Sequence, residues 1–405
     1  MPHNPDCRSP SPPTLTSTPL WTSAFRPFYL LGTLYAPLLA TAWLGALLGL
    51  WRLPGELPPK LLHGHEFIFG FAAAIITGIV LTALPSWAGT AEIRGRRLLL
   101  LVALWLAGRL VWWGAPWLPS PLPALVDCLL FPVVFIMLAP QLLRVRNRLY
   151  LLLLPILAAL FAANLIHHHA IALANHALAE LALRLAVYAM ILLYALKGGV
   201  LTPVFTNNAL REAGRRELAP HDPRLETASV AALILLAALD LAAAPAAWIG
   251  GAALACALLH GWRCARWQGW RVADAPLVLV MHLGFAWLVL AFVLKAAAEL
   301  TGVIPEAVWL HAFTTGSLGL MMLGLMTRVS LRHTGRPLVV PRIMLLAYGL
   351  AFAAALLRLA AGVHGLGNAA MALSAVMWTT AFVLYLAAFG GILLTASLPR
   401  SLAAT

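Results

Sequence analysis

Charge is what this chain has least of. Only 10% of its 405 residues are Asp, Glu, Lys or Arg, whereas a soluble domain carries about a quarter. That shortage excludes a water-exposed globular protein. Cysteine is nearly absent too: Cys7, Cys128, Cys256 and Cys264 form no C-x-x-C pair and no C-x-x-C-H attachment site. A disulfide framework and covalently attached haem are therefore excluded, and any haem would be a non-covalent b-type haem. Residues 1–20 are rich in Pro, Ser and Thr and lack an apolar run. Residues 1–24 are expected to form a disordered cytoplasmic tail rather than a cleaved signal, with the first span as the targeting signal.

Hydrophobic residues supply 62% of the chain, with a mean hydropathy of +0.89. Apolar windows fall near 27–50, 62–85, 97–114, 121–143, 149–170, 177–197, 226–245, 247–265, 275–301, 306–328, 338–362 and 366–397. The pattern predicts an all-α polytopic membrane protein of about twelve transmembrane helices in one bundle over residues 25–400. Uninterrupted apolar runs exclude a membrane barrel. The net charge of +13 sits in short loops. Eighteen basic residues occupy even-numbered loops, against Arg52 and Lys60 in the odd ones. This is the positive-inside pattern of a lipid-embedded chain, so nucleic acid is rejected as a partner and both termini are expected in the cytoplasm.

The longest internal linker, about 198–225, divides the chain into two six-helix halves. Facilitator-type transporters share that layout. Their glycine-arginine loop is matched only loosely by GTAEIRGRR (Gly89 to Arg97), whose charges are out of register.

Ionisable residues inside spans mark functional sites or buried pairs. The stretch His63, Gly64, His65, Glu66 opens the second span. Two imidazoles and a carboxylate at a membrane boundary suit a metal or haem entrance, and equally a wet helix start with Glu66 favoured by the dipole. Arg109, Arg184 and Arg358 fall at the same outer level and have the shape to hold haem propionates. Lys295 and Glu299, four residues apart, read as a structural pair. His167, His168 and His169 point in three directions, so at most two can serve one site. His260 reads as a core histidine. His282 lies deeper than His311, by roughly 20 Å of helix rise, which argues for two sites.

FRPFYLLGTLY (Phe25 to Tyr35), HGHEFIFGF (His63 to Phe71), LPSWAG (Leu84 to Gly89), HLGFAWL (His282 to Leu288) and HAFTTGSLGLMMLGLMTRVSLRHTGRPL (His311 to Leu338) resemble the NnrS family. The resemblance runs from about residue 25 to the last helix. It implies a bacterial inner-membrane protein of about twelve spans containing haem and copper. It also implies a place in nitric oxide metabolism or protection from nitrosative stress. The family's histidines fall on His63, His65, His282, His311 and His333, and its arginines on Arg26, Arg328 and Arg336. Val200 stands where the family usually has arginine, and Arg332 where glycine is expected before HTGR. Haem-copper oxidases also have twelve spans, but their tenth helix carries several histidines where this one offers His311 alone.

The expected centre combines His63, His65 and His311, with Glu66 as a further metal ligand and the three arginines at the propionates. His63 and His65 diverge by about 200° in a regular helix. They converge only if the chain is extended at Gly64. His282, with His333 or His260, would form a deeper metal site. Such a protein binds or turns over nitric oxide, as an oxidoreductase served by a quinol or other electron donor, or as a sensor. The alternative is a transporter of a metal, haem or metal-thiol complex.

Overall fold

A computed structural model describes residues 18–53, 57–215, 219–220 and 222–399. Every regular element among the described residues is a helix, with no strand. Among these residues nine helices are long and apolar enough to cross a membrane. They are α1 (Phe25–Leu47), α2 (Pro59–Ala88), α4 (Leu122–Leu142), α5 (Arg148–Ala172), α6 (His176–Glu212), α9 (Pro276–Thr301), α10 (Glu306–His333), α11 (Arg342–His364) and α12 (Gly367–Leu394). Three more helices stand between them: α3 (Arg96–Trp113), α7 (Pro223–Leu241) and α8 (Ala246–Trp267). These are more polar, because α3 carries Arg96, Arg97 and Arg109, α7 carries Arg224, Glu226 and Asp240, and α8 carries His260, Arg263 and Arg266. The chain is thus a polytopic helical membrane protein.

Two helices form the centre. In α2 and α10, 83% and 78% of the apolar window is buried inside the protein, against 33% in α1, α4, α5 and α11. A helix apolar on every side belongs in a core rather than at a lipid face. Both central helices widen into a π-helical stretch, Glu66–Ala72 in α2 and Ala312–Leu318 in α10. Each stretch starts at the residue after a histidine, His65 or His311. Such π-turns are rare and concentrate at functional sites. Each also holds a glycine pressed against an aromatic ring. A Cβ on Gly70 would come within 2.6 Å of Tyr35, and one on Gly316 within 2.6 Å of Trp287.

The first half packs α5 against α6 and α3 against α4; the second packs α7 against α8, α8 against α9, and α11 against α12. Helix α1 joins the halves by lying on both α2 and α12. Arg26 secures that joint. Its guanidinium donates to the carbonyls of Ile392, Leu393 and Thr395 and to Ser397 Oγ. A cation at a helix C-terminus satisfies carbonyls that no turn can. The arginine of the FRPF motif is therefore a cap for α12.

Two expected boundaries move. Residues 1–17 of the expected tail lie outside the described residues, but the segment after them is packed. Pro19–Trp21 form a single turn, and Trp21 O accepts from Gly95 N at 2.9 Å. The linker is also shorter than 198–225, because α6 continues as helix to Glu212. Its Thr202, Pro203 and Thr206 are buried there against the second half. Tertiary packing carries the helix through a polar, proline-containing stretch that propensity alone would break.

Candidate metal centre

His63 and His65 do not share a site. Pro59–His65 is regular helix through Gly64, so the two imidazoles leave α2 in nearly opposite directions. The expected convergence on His311 holds for His63 only.

His63 meets His311 across the two central helices, with ring centroids 6.3 Å apart and planes 21° apart. Two imidazoles bound to one metal atom at about 2.0–2.1 Å place their centroids about 5–6.5 Å apart. The His311 Nδ1–H donates to Ala307 O at 2.7 Å, which leaves Nε2 as the acceptor for Arg358 Nη2 at 3.2 Å. A backbone partner on one ring nitrogen is the usual way to aim the other at a metal. His63 Nδ1 is buried with no hydrogen-bond partner. Trp43 and Phe67 pack on the His63 ring, both at 4.5 Å.

His65 turns the other way, into a fully buried network between α2, α3, α4 and α5. The His65 Nδ1 lies 2.9 Å from Glu66 Oε1, and its Nε2 lies 2.8 Å from Asn164 Oδ1 and 3.2 Å from Asp127 Oδ2. Arg109 donates to Glu66 and to Asp127, and Tyr35 donates to Glu66. His168 Nε2 reaches Asp127 Oδ2 at 2.9 Å, and Asn164 Nδ2 donates to the same oxygen at 3.0 Å. Trp112 stacks on the His65 ring at 3.6 Å and 11°. Of the three neighbouring histidines, His167 and His168 flank His65 at 4.9 and 5.5 Å.

The arginines divide accordingly. Arg109 is bound by Glu66 and Asp127, so the chain itself supplies the carboxylates that haem propionates would have been. Arg184 likewise meets Asp240 at 3.5 Å and Glu306 at 3.0 Å. Arg358 alone of the three faces a histidine of the expected centre. The pair Lys295–Glu299 forms at 2.7 Å, and Lys295 also holds the buried Asp240 at 2.8 Å.

The deeper histidines stay apart. His282 Nε2 bonds Thr206 Oγ1 at 2.8 Å, and its ring fills the space beside Gly269. His333 packs on Phe25 of α1 at 5.8 Å. His260 is buried with its Nδ1 3.1 Å from the Arg263 guanidinium. These partners are three different elements, and the deeper site expected from His282 with His333 or His260 does not form around them.

Sequence reasoning missed Asp127, Asn164 and Asp240. Asp127 had a signal: a lone carboxylate in the apolar window 121–143 of a chain with few acids. Asn164 and His168 had another, since their i,i+4 spacing puts both on one face of α5.

A half-buried histidine pair, a π-turn in each central helix and a set of internal charge clusters define a polytopic helical membrane protein with a partly polar interior. The chain matches the family described as NnrS protein over residues 19–397, nearly its whole length, and it belongs to that family. No curated protein matches it.

Proposed function

We propose that this protein is a multi-pass inner-membrane member of nitric oxide metabolism or nitrosative-stress protection. It binds nitric oxide, or turns it over, at a metal centre between α2, α10 and α11. In this reading α3, α7 and α8 also cross the membrane, giving twelve spans with both termini in the cytoplasm. Membership of the family supports the nitric oxide link. The observation that carries the site is the His63–His311 pair, in which His311 Nε2 and His63 Nδ1 lack any permanent protein carbonyl or carboxylate partner.

The residues fit a copper ion. Imidazole is a natural copper ligand, and the spacing of the pair suits one atom between the rings. Bound there, copper would supply a place for a small diatomic ligand and a redox couple. The chain's own residues do the rest. Ala307 O fixes the His311 tautomer. Arg358 stands beside the ligand nitrogen, where it can donate to negative charge on a bound molecule. Trp43 and Phe67 hold the His63 ring in place between them.

A haem fits less well. A cavity between α2, α6 and α10 measures about 60 Å³ and one between α2, α4, α5 and α6 about 10 Å³, while organic ligands of haem size occupy several hundred Å³. Arg109 and Arg184, two of the three expected propionate partners, are already paired with carboxylates. No step is assigned to haem. The test is the copper and haem content of the purified protein and of His63→Ala and His311→Ala. The expected result is about one copper per chain in the wild type and none in either variant, all three inserting normally. Full copper content in both variants would overturn the proposal.

A further inference from the structure

His65 poses a charge problem. Both of its ring nitrogens face oxygen acceptors: Glu66 Oε1 on one side, and Asn164 Oδ1 and Asp127 Oδ2 on the other. Turning the Asn164 amide over gives no relief, because its Nδ2 is needed at Asp127 Oδ2. A neutral imidazole has one N–H and can satisfy only one side. The formal charges lead to the same place. Glu66 and Asp127 bring two negative charges and Arg109 one positive, all within the buried interior. With His65 neutral one positive charge is missing, and an unbalanced charge in such surroundings is costly; a second proton on His65 or a bound cation supplies it.

We propose that a divalent transition-metal ion occupies this point, held by His65 Nε2, His168 Nε2 and Asp127 Oδ2, with Asn164 Oδ1 as a fourth ligand. The site is separate from the His63–His311 pair and does not depend on it. The three principal ligand atoms all lie within 4.8 Å of one another, with His168 and His65 at 2.9 and 3.2 Å from the carboxylate oxygen. A tetrahedron with bonds of about 2.0–2.1 Å has edges of about 3.3 Å, close to the two distances from the carboxylate oxygen to the histidine nitrogens. Two imidazoles and one carboxylate are a donor set for iron, cobalt, zinc or copper rather than magnesium or calcium.

The surroundings support the same assignment. With the ion on Nε2, the His65 N–H sits on Nδ1 and donates to Glu66, the carboxylate–histidine–metal arrangement that fixes ligand orientation. Arg109 ties Glu66 to Asp127, and Trp112 covers the His65 ring. His167 adds a buried, unpartnered Nε2 on a ring 4.9 Å from that of His65. A divalent ion turns the deficit of one positive charge into an excess of one, so an open coordination position there favours an anion. Access runs past His168, whose side chain keeps 8% exposure while His65 and Asp127 have none.

The test uses the full-length protein in detergent, stripped with chelator and titrated with Co²⁺, read by equilibrium dialysis and by visible ligand-field absorption. The wild type should bind Co²⁺ at this site with an imidazole-containing spectrum. His168→Ala should lose that equivalent and its bands, and His311→Ala should keep them. Glu66→Gln should weaken binding about 10–100-fold, as loss of an orienting carboxylate does. Should His168→Ala not fold, Asn164→Asp serves instead: a ligand made anionic tightens Co²⁺ binding, whereas a purely structural network gains only repulsion. Absence of the Co²⁺ spectrum in the wild type, or its persistence unchanged in His168→Ala, would overturn the proposal. Loss of copper from His311→Ala with retention of this site would leave both assignments standing. Retention of copper would remove only the first.

Discussion

Among the described residues, two of the buried ion-pair clusters are built differently, one between α2, α3 and α4 and the other between α6, α7, α9 and α10. In the first, Glu66, Asp127 and Arg109 are sealed from solvent and share their oxygens with His65 and His168. In the second, Lys295 and Asp240 are as deeply buried, but Glu299 and Glu306 keep 21% and 43% exposure and no histidine takes part. The partly exposed carboxylates can be hydrated, and the two cations, Lys295 and Arg184, share three carboxylates at a wet rim. That is an anchor between α6, α7, α9 and α10. The side chains of Glu66 and Asp127 have no exposed surface, and the His65 ring faces acceptors on both sides. The contrast teaches that burial of charge alone does not set the two clusters apart; the histidine with acceptors on both sides does.

The largest effect should come from breaking the dry cluster. Arg109→Leu leaves two buried carboxylates without their cation, and removal of one partner from such a group costs about 3–5 kcal/mol. Equilibrium unfolding in mixed detergent, or the yield of folded protein, measures it. The same change in the wet cluster should cost less. In Lys295→Met, Asp240 keeps the Tyr188 hydroxyl at 2.8 Å and Arg184, while Glu299 can turn to water, so about 1–3 kcal/mol is expected. Equal losses for the two variants would erase the distinction.

His311→Ala sharpens the contrast from the other direction. Its unfolding free energy should stay within about 1 kcal/mol of the wild type, while copper content falls to zero. A centre held for function can be lost without loss of the fold. The smallest effect belongs to the surface. Asp222 caps α7, accepting from the backbone N–H groups of Leu225 and Arg224 and pairing with Arg266 at 2.9 Å. Those bonds hold its carboxyl below the usual aspartate range. A folded value below the unfolded one, about 3.9, means the contribution is present above that pH and is lost as pH falls through the folded value. Asp222→Asn should therefore lower Tm slightly at neutral pH, and the difference from wild type should vanish on strong acidification.

Much of the architecture was legible because lipid enforces one rule: helices long enough to cross, apolar enough to stay. The level of the site was legible as well. Chain reversal at each loop puts the start of α2, the end of α3, the start of α4 and the end of α5 at one end of the bundle. Helical phase was harder to use. His63 and His65 stand two residues apart and part company because Gly64 remains helical, a choice that packing makes and composition does not. Arg109 was read as a propionate holder because its true partner, Asp127, is a single acid in an apolar window. Arg26 shows the reverse difficulty. A motif arginine that suggests chemistry caps a helix that arrives more than 360 residues later.

The central claim is that the pair between α2 and α10 is where a small ligand meets metal. The most direct measurement adds nitric oxide, under anaerobic conditions, to reduced protein and follows its electronic absorption and electron paramagnetic resonance. The wild type should show a new nitrosyl signature that saturates at about one per chain. The double variant His63→Ala/His311→Ala, folded and inserted, should show none. A wild-type spectrum indifferent to nitric oxide, or an identical signature in the double variant, would contradict the account.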